Sequence, residues 1–245
     1  MSVLAILFIG FFLGMRHATD PDHVIAVSTI VSRERSLGKA GLIGALWGLG
    51  HTITIVLVGA GIILFNLVIP PRVGLTMEFS VGIMLILLGA LNLTGTTKRV
   101  SEKYFPGHTH GLGEHAHSHD QPAASSSLSP GKLGAFHSLR PLFIGIVHGL
   151  AGSAAVALLV LTTIHEPRWA MLYLLIFGVG TIAGMMLITA AMAVPFSYGS
   201  TRFAWFNRGL VTGSGLLSLG FGIFIIYQIG VVDGLFTSHP NWTPS

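Results

Sequence analysis

Six apolar runs, each near the length a helix needs to cross a bilayer, constrain this chain more than any other feature. A spanning helix takes about 20 predominantly apolar residues. The runs lie at Val3–Val31, Ala40–Ile69, Leu75–Leu93, Leu142–Ile164, Trp169–Val194 and Gly209–Val232. Hydrophobic residues make up 51% of the 245 and charged residues 9%, against roughly 25% charged in soluble domains. One water-soluble core of this size cannot bury that excess, so lipid is the solvent the chain requires. The expected fold class is an all-α integral membrane protein of about six transmembrane helices. Polar residues interrupt the first run and no basic segment precedes it, so it reads as a retained span rather than a cleaved signal peptide. The chain has no cysteine, which excludes disulfides, thiolate ligands and cysteine nucleophiles. The net charge of +4 is carried between the apolar runs. It therefore speaks to topology and not to nucleic acid.

The two halves resemble each other. Leu13-Gly14-Met15-Arg16-His17 in the first run matches Ile144-Gly145-Ile146-Val147-His148 in the fourth, 131 residues on. Gly48-Leu49-Gly50-His51 matches Gly178-Val179-Gly180-Thr181 at an offset of 130, and Gly82 and Gly89 match Gly213 and Gly220 at 131. Three spans per half is an odd number, so a duplicated second half enters the membrane from the opposite side. The expected architecture is two inverted three-helix repeats, residues 1–95 and 141–234. This is a recurring transporter plan with its site near the midplane. Residues 96–140 read as a flexible His-rich linker, and residues 235–245 as an external tail. Ten Lys and Arg residues fall in the segments Arg33–Lys39, Thr94–Arg140 and Tyr198–Arg208, against Arg72 and Arg168 on the other side. The positive-inside rule places those three segments in the cytoplasm and both termini outside.

Within the first run stands Arg16-His17-Ala18-Thr19-Asp20-Pro21-Asp22-His23. An ionisable group costs about 2.5–3.5 kcal/mol at the bilayer centre, so these groups must face a cavity, a partner or an ion. At about 100° per residue, His17, Asp20 and His23 share a face and Asp22 falls off it. Pro21 makes a regular helix doubtful, and a break there would swing Asp22 round. Imidazole suits nickel, copper and zinc, and carboxylate suits harder cations. Two His with one or two Asp thus form a mixed nitrogen and oxygen set for a divalent first-row metal. Arg16 is expected to pair with Asp20 or Asp22 when no metal is bound. The competing reading is a cytoplasm-facing helix end where Asp22 and His23 meet water. His51, among glycines that allow close helix approach, and His148, the counterpart of His17, complete the candidate metal residues. For His148 the alternative is packing beside small residues. In the linker, His108, His110, His115, His117 and His119 form an auxiliary candidate, a cytoplasmic metal buffer or sensor, against a solvated low-complexity tract. His165 and His239 read as loop residues, and Met185 and Met186 as packing.

His17-x4-Asp22-His23, followed in the next run by Leu49-Gly50-His51-Thr52, resembles the paired signatures of the nickel/cobalt transporter family, often called NiCoT or NicO. The resemblance implies nickel or cobalt transport with His17, Asp22, His23 and His51 at the metal. The second half reads His148-Gly149-Leu150-Ala151-Gly152-Ser153 without an acid. This is similar to the family's shorter, UreH-like branch.

The leading expectation is a transporter taking nickel, and in the wider family cobalt, into the cytoplasm; it is not an enzyme. An exporter is the alternative within transport. A membrane metalloenzyme or a metal sensor is the alternative of another class, with no H-E-x-x-H and no glutamate base in its favour. The metal is cargo, and no resident cofactor is called for. The expected partners are the metal ion and the bilayer, with cytoplasmic nickel-accepting proteins and a homo-oligomeric copy as further candidates and no nucleic acid. The expected location is the cell membrane as a multi-pass protein, a bacterial inner membrane fitting best. Cysteine introduced at Ser118 should react with a membrane-impermeant reagent only after the cells are opened; labelling of intact cells would overturn the orientation.

Overall fold

Seven helices account for nearly all of what the computed structural model describes, namely residues 3–34, 36–65, 67, 69–94, 139–151, 164, 166–202 and 204–242. They are α1 (Val3–His17), α2 (Pro21–Val31), α3 (Leu37–Phe65) and α4 (Pro71–Leu93), then α5, helical over Leu139–Ala151. They close with α6 (Pro167–Arg202) and α7 (Ala204–Tyr227), which runs on into a π-turn at Gln228–Val232. The linker histidines His108, His110, His115, His117 and His119, the end of the fourth apolar run and His165 lie outside the described residues.

Among the described residues, four helices are long and apolar enough to cross a membrane: α3, α4, most of α6, and α7 with its π-turn. The 29 residues of α3 extend about 43 Å at 1.5 Å each, well beyond the ~30 Å of a hydrocarbon core. The first run differs from the expected single span. It is two helices of 15 and 11 residues, each too short to cross alone, joined at Ala18–Asp20. The expected loop at Tyr198–Arg208 is also largely helical, since α6 continues to Arg202 and α7 begins at Ala204. Large apolar side chains face outward along the helices: Phe8, Phe12, Leu57, Leu87, Val179, Leu216 and Phe224 are each at least 49% exposed. Such a continuous apolar exterior is a liability in water and the normal surface in lipid. Together these features define an all-helical membrane protein.

Small residues set how the helices meet. The principal packing is α3 on α6, α4 on α7 and α1 on α6. A Cβ at Gly14 would strike the Phe177 carbonyl of α6, and one at Gly145 the Trp47 carbonyl of α3. Likewise Gly180 abuts the Phe11 carbonyl, and Gly50 that of Leu142. Gly178 meets Thr52, and Gly48 meets Ile182. With offsets of 130 and 131 residues, each contact is the other with the two halves exchanged. α1 therefore lies on α6 as α5 lies on α3. Backbones approach this closely only where a helix offers glycine. Threonines bridge the same seams, the Thr54 hydroxyl donating to the Ile146 carbonyl at 3.1 Å and the Thr52 hydroxyl to the Gly178 carbonyl at 3.1 Å.

Two further contacts close the bundle's ends. Arg33, at the end of α2, donates through Nη2 to the Asn92 carbonyl of α4 at 2.8 Å. The Asn92 amide in turn donates to the Val211 carbonyl of α7 at 3.1 Å. At the other end, the chain after the π-turn folds back on α4 as far as Trp242. The Trp242 indole donates to Glu78 Oε1 at 2.8 Å, and its ring occupies the space a Cβ at Gly74 would need.

Overpacking a tight seam costs about 1–3 kcal/mol. Gly145→Val should therefore lower the detergent-solubilised melting temperature by several degrees, whereas Gly213→Ala, with nothing within 4 Å of an added Cβ, should leave it unchanged. Equal melting of the two variants would contradict the packing.

Candidate metal centre

The site begins with the break in the first run. α1 ends on tightening hydrogen bonds, the Thr19 amide donating to the Arg16 carbonyl at 2.8 Å and the Asp20 amide to the His17 carbonyl at 3.1 Å. Asp20 then takes an extended backbone (φ −59°, ψ 144°), and Pro21 opens α2 at its first position. Both follow from proline chemistry. The residue before proline avoids the helical region, and proline's fixed φ and missing N–H suit the first turn of a helix. Pro21 thus starts a second helix instead of kinking one. A regular helix would carry Asp22 away from His17; the break carries it onto the histidine cluster.

Five ligand-bearing side chains from four helices meet there: His17, Asp22 and His23 of the first run, His51 of α3 and His148 of α5. The Asp22 carboxylate is shared between two imidazoles, with Oδ1 2.9 Å from His23 Nδ1 and Oδ2 3.0 Å from His148 Nε2. The His23 backbone N–H also donates to Oδ1 at 2.9 Å. His148 Nε2 lies 3.3 Å from His23 Nδ1, and His17 Nε2 lies 3.0 Å from His51 Nε2. Two donors bound about 2.1 Å from one ion and at right angles sit about 3.0 Å apart, so these separations suit adjacent positions on a metal. Candidate ligand atoms of His17, His23 and His51 lie within 4.8 Å of one another, and so do those of Asp22, His23 and His148.

Burial makes the arrangement expensive unless something binds. His23, His51 and His148 are at most 2% exposed. His23 Nε2, His51 Nδ1 and His148 Nδ1 are buried without a hydrogen-bond partner, in a class of atom that is nearly always satisfied. Asp20 sits at the open edge, 47% exposed, with Oδ2 2.7 Å from His17 Nδ1. It orients the His17 ring and leaves Nε2 free for His51, the usual task of a carboxylate behind a ligating histidine. Arg16 does not take the expected pairing: its residue is exposed, and the described partners of Asp20 and Asp22 are histidines.

The remaining sequence candidates separate cleanly. His239 is exposed on the C-terminal segment. Met185 is fully buried in the core and Met186 is 42% exposed. Two wall residues escape a search for polar groups. Trp47 stacks on His23 (centroids 5.8 Å, 20°) and meets His148 edge-on at 5.5 Å, while Phe177 lies 5.7 Å from His17. The signal for Trp47 is its place one helical turn before His51; Phe177 is Trp47 plus the 130-residue offset.

A helical membrane protein whose buried imidazoles and carboxylate converge in this way has a site that could hold a metal ion. The chain is 38% identical over 241 residues to the urease accessory protein UreH of Bacillus sp. (strain TB-90), covering 96% of both chains. It is 26% identical over 235 residues to the chloroplast protein FOR GROWTH AND FERTILITY 2 of Arabidopsis thaliana, spanning 92% of this chain and 57% of that one. No family model matches the chain, and no solved structure matches it. The chain belongs to the UreH-like short branch of the nickel/cobalt transporter family.

A metal held against Trp47 should quench its fluorescence. Nickel added to purified protein is expected to quench a saturable component that Trp47→Phe removes. Undiminished quenching in that variant would place the ion elsewhere.

Proposed function

We propose that this protein carries nickel, and cobalt as a secondary substrate, across the cell membrane into the cytoplasm. The observation that supports this most is the convergence of four imidazoles and one carboxylate inside an apolar helix bundle, where an ionisable group costs about 2.5–3.5 kcal/mol and needs a cation to justify it. Neutral nitrogen and carboxylate oxygen suit a divalent first-row ion and replace part of its hydration shell. A dication moving inward through 100 mV gains about 4.6 kcal/mol, so uptake can run without nucleotide, and the chain has no G-x-x-x-x-G-K-[ST] loop. The urease-accessory name of its relative is consistent with delivery to cytoplasmic nickel-accepting proteins.

In this reading the chain forms six spans as two inverted repeats, with α1 and α2 together making the first span. The exchanged glycine contacts support the duplication. The Lys and Arg asymmetry supports cytoplasmic placement of the linker and external termini. The linker histidines then serve as a cytoplasmic buffer.

The test is radio-nickel flux into liposomes carrying the purified protein, with cobalt and zinc as competitors. His17→Ala, Asp22→Asn and His23→Ala should each abolish flux while preserving membrane insertion. His239→Ala should be silent. Replacing the five clustered linker histidines by Ala should weaken apparent affinity and leave flux measurable. Normal nickel flux in both Asp22→Asn and His23→Ala would sink the proposal.

A further inference from the structure

The five ligand residues do not form one coordination sphere. His23 belongs to both three-residue groups, and its ring offers two nitrogens on opposite edges. Its Nδ1 faces Asp22 and His148 at 2.9 and 3.3 Å. Its Nε2 is buried and unpartnered, while the His17 and His51 rings stand 4.8 and 5.0 Å from the His23 ring. The lone pairs of the two imidazole nitrogens diverge, so a single ion cannot be bound through both. Two ions, one on each nitrogen, would require His23 to lose its last ring proton and would crowd two dications against one carboxylate.

We infer that the centre is two overlapping stations used in turn by one metal ion. The first is His17, His51 and His23 Nε2; the second is Asp22, His148 and His23 Nδ1. His23 is the pivot between them. The inference rests on the transport reading for its purpose, since a static cofactor has no need of a second station. Its structural content stands on the ligand geometry alone. The first station adjoins the half-exposed Asp20, which holds His17. The second lies between Asp22, 28% exposed, and His148, 1% exposed. The first station draws its ligands from residues 1–95 alone, and the second recruits the other half through His148. The step between stations is therefore also the step at which the ion passes from one half of the molecule to the junction of both. A pathway needs sites that bind well enough to admit an ion and are multiple enough to release it, and two three-ligand stations in contact meet that need.

The two-station arrangement predicts a pattern of binding losses that one five-ligand sphere does not. Either station alone still holds an ion, so His51→Ala and His148→Ala should each weaken equilibrium cobalt binding to the purified full-length protein by about threefold or less. The His51→Ala/His148→Ala double variant should lose about 100-fold or more, far beyond the product of the singles. His23→Ala, which damages both stations, should lose about as much as the double variant. The cobalt d–d spectrum of the wild type should be a weighted sum of the spectra of the two single variants. Nickel flux should fall by about 100-fold in each single variant although binding survives. His51→Asn and His148→Gln, which keep volume and polarity, repeat the measurement should either alanine variant fail to fold. Multiplicative losses in the double variant, a single variant as damaged in binding as His23→Ala, or normal flux in His148→Ala would each overturn the two stations. Wild-type protein that binds cobalt in this pattern but moves no nickel would leave the stations standing and refute transport instead.

Discussion

The interruption of the first apolar run at Ala18–Asp20 is the feature on which the rest of the structure depends. It ends one helix on His17 and starts another on Pro21, placing four ionisable side chains around a short non-helical turn inside an apolar bundle. Non-helical backbone at membrane depth is tolerated only where protein or a polar cavity surrounds it. Here α3, α5 and α6 supply that surround. Ala18 itself is fully buried, against Gly184 of α6. The turn and its neighbours are therefore mutually required. Without the break Asp22 points elsewhere, and without the close helices the break exposes unsatisfied backbone to lipid.

Close approach is what converts these residues into a site. Gly50 sits one residue before His51 and lets α5 lie on α3; Gly145 sits three before His148 and receives the Trp47 carbonyl. Both glycines stand within one turn of a ligand. The spacing that permits backbone contact thus also sets how far an imidazole must reach, and His51 and His148 end with ring centroids 6.0 Å apart. The glycines and the ligands act as one device. Hence a glycine that touches no metal can still govern where the metal's ligands meet.

Much of this was legible in the sequence, for definite reasons. Apolar length revealed α3, α4, α6 and α7, because a bilayer demands it. The cost of buried charge singled out His17, Asp22 and His23, the flanking glycines pointed to His51, and the internal offset brought in His148, a histidine with no acidic neighbour to advertise it. What stayed hidden depends on three-dimensional closure. A proline within an apolar run is compatible with a kink or with two helices, and only packing on α6 and α3 decides between them. Arg16 and the aspartates are close in sequence, yet the histidines reach Asp20 and Asp22 first. Trp47 and Phe177 are invisible to a search for polar groups because their contribution is to wall the site. The far polar contact from Arg33 through Asn92 to α7 joins residues 59 apart and more, which no local pattern displays.

The composition of the centre also explains why its second half carries no acid. On the proposed transport reading, a dication held in an apolar interior must be balanced and must also be released. Asp22 supplies one partly buried charge, already divided between two histidines, and Asp20 supplies another at the open edge. A further carboxylate beside His148 would deepen the well for the ion. It would also leave an uncompensated buried charge each time the ion departed, a penalty of several kcal/mol in low dielectric. Gly149-Leu150-Ala151 after His148 avoids that penalty. The second half contributes one neutral nitrogen, aimed at a carboxylate oxygen the first half has already placed.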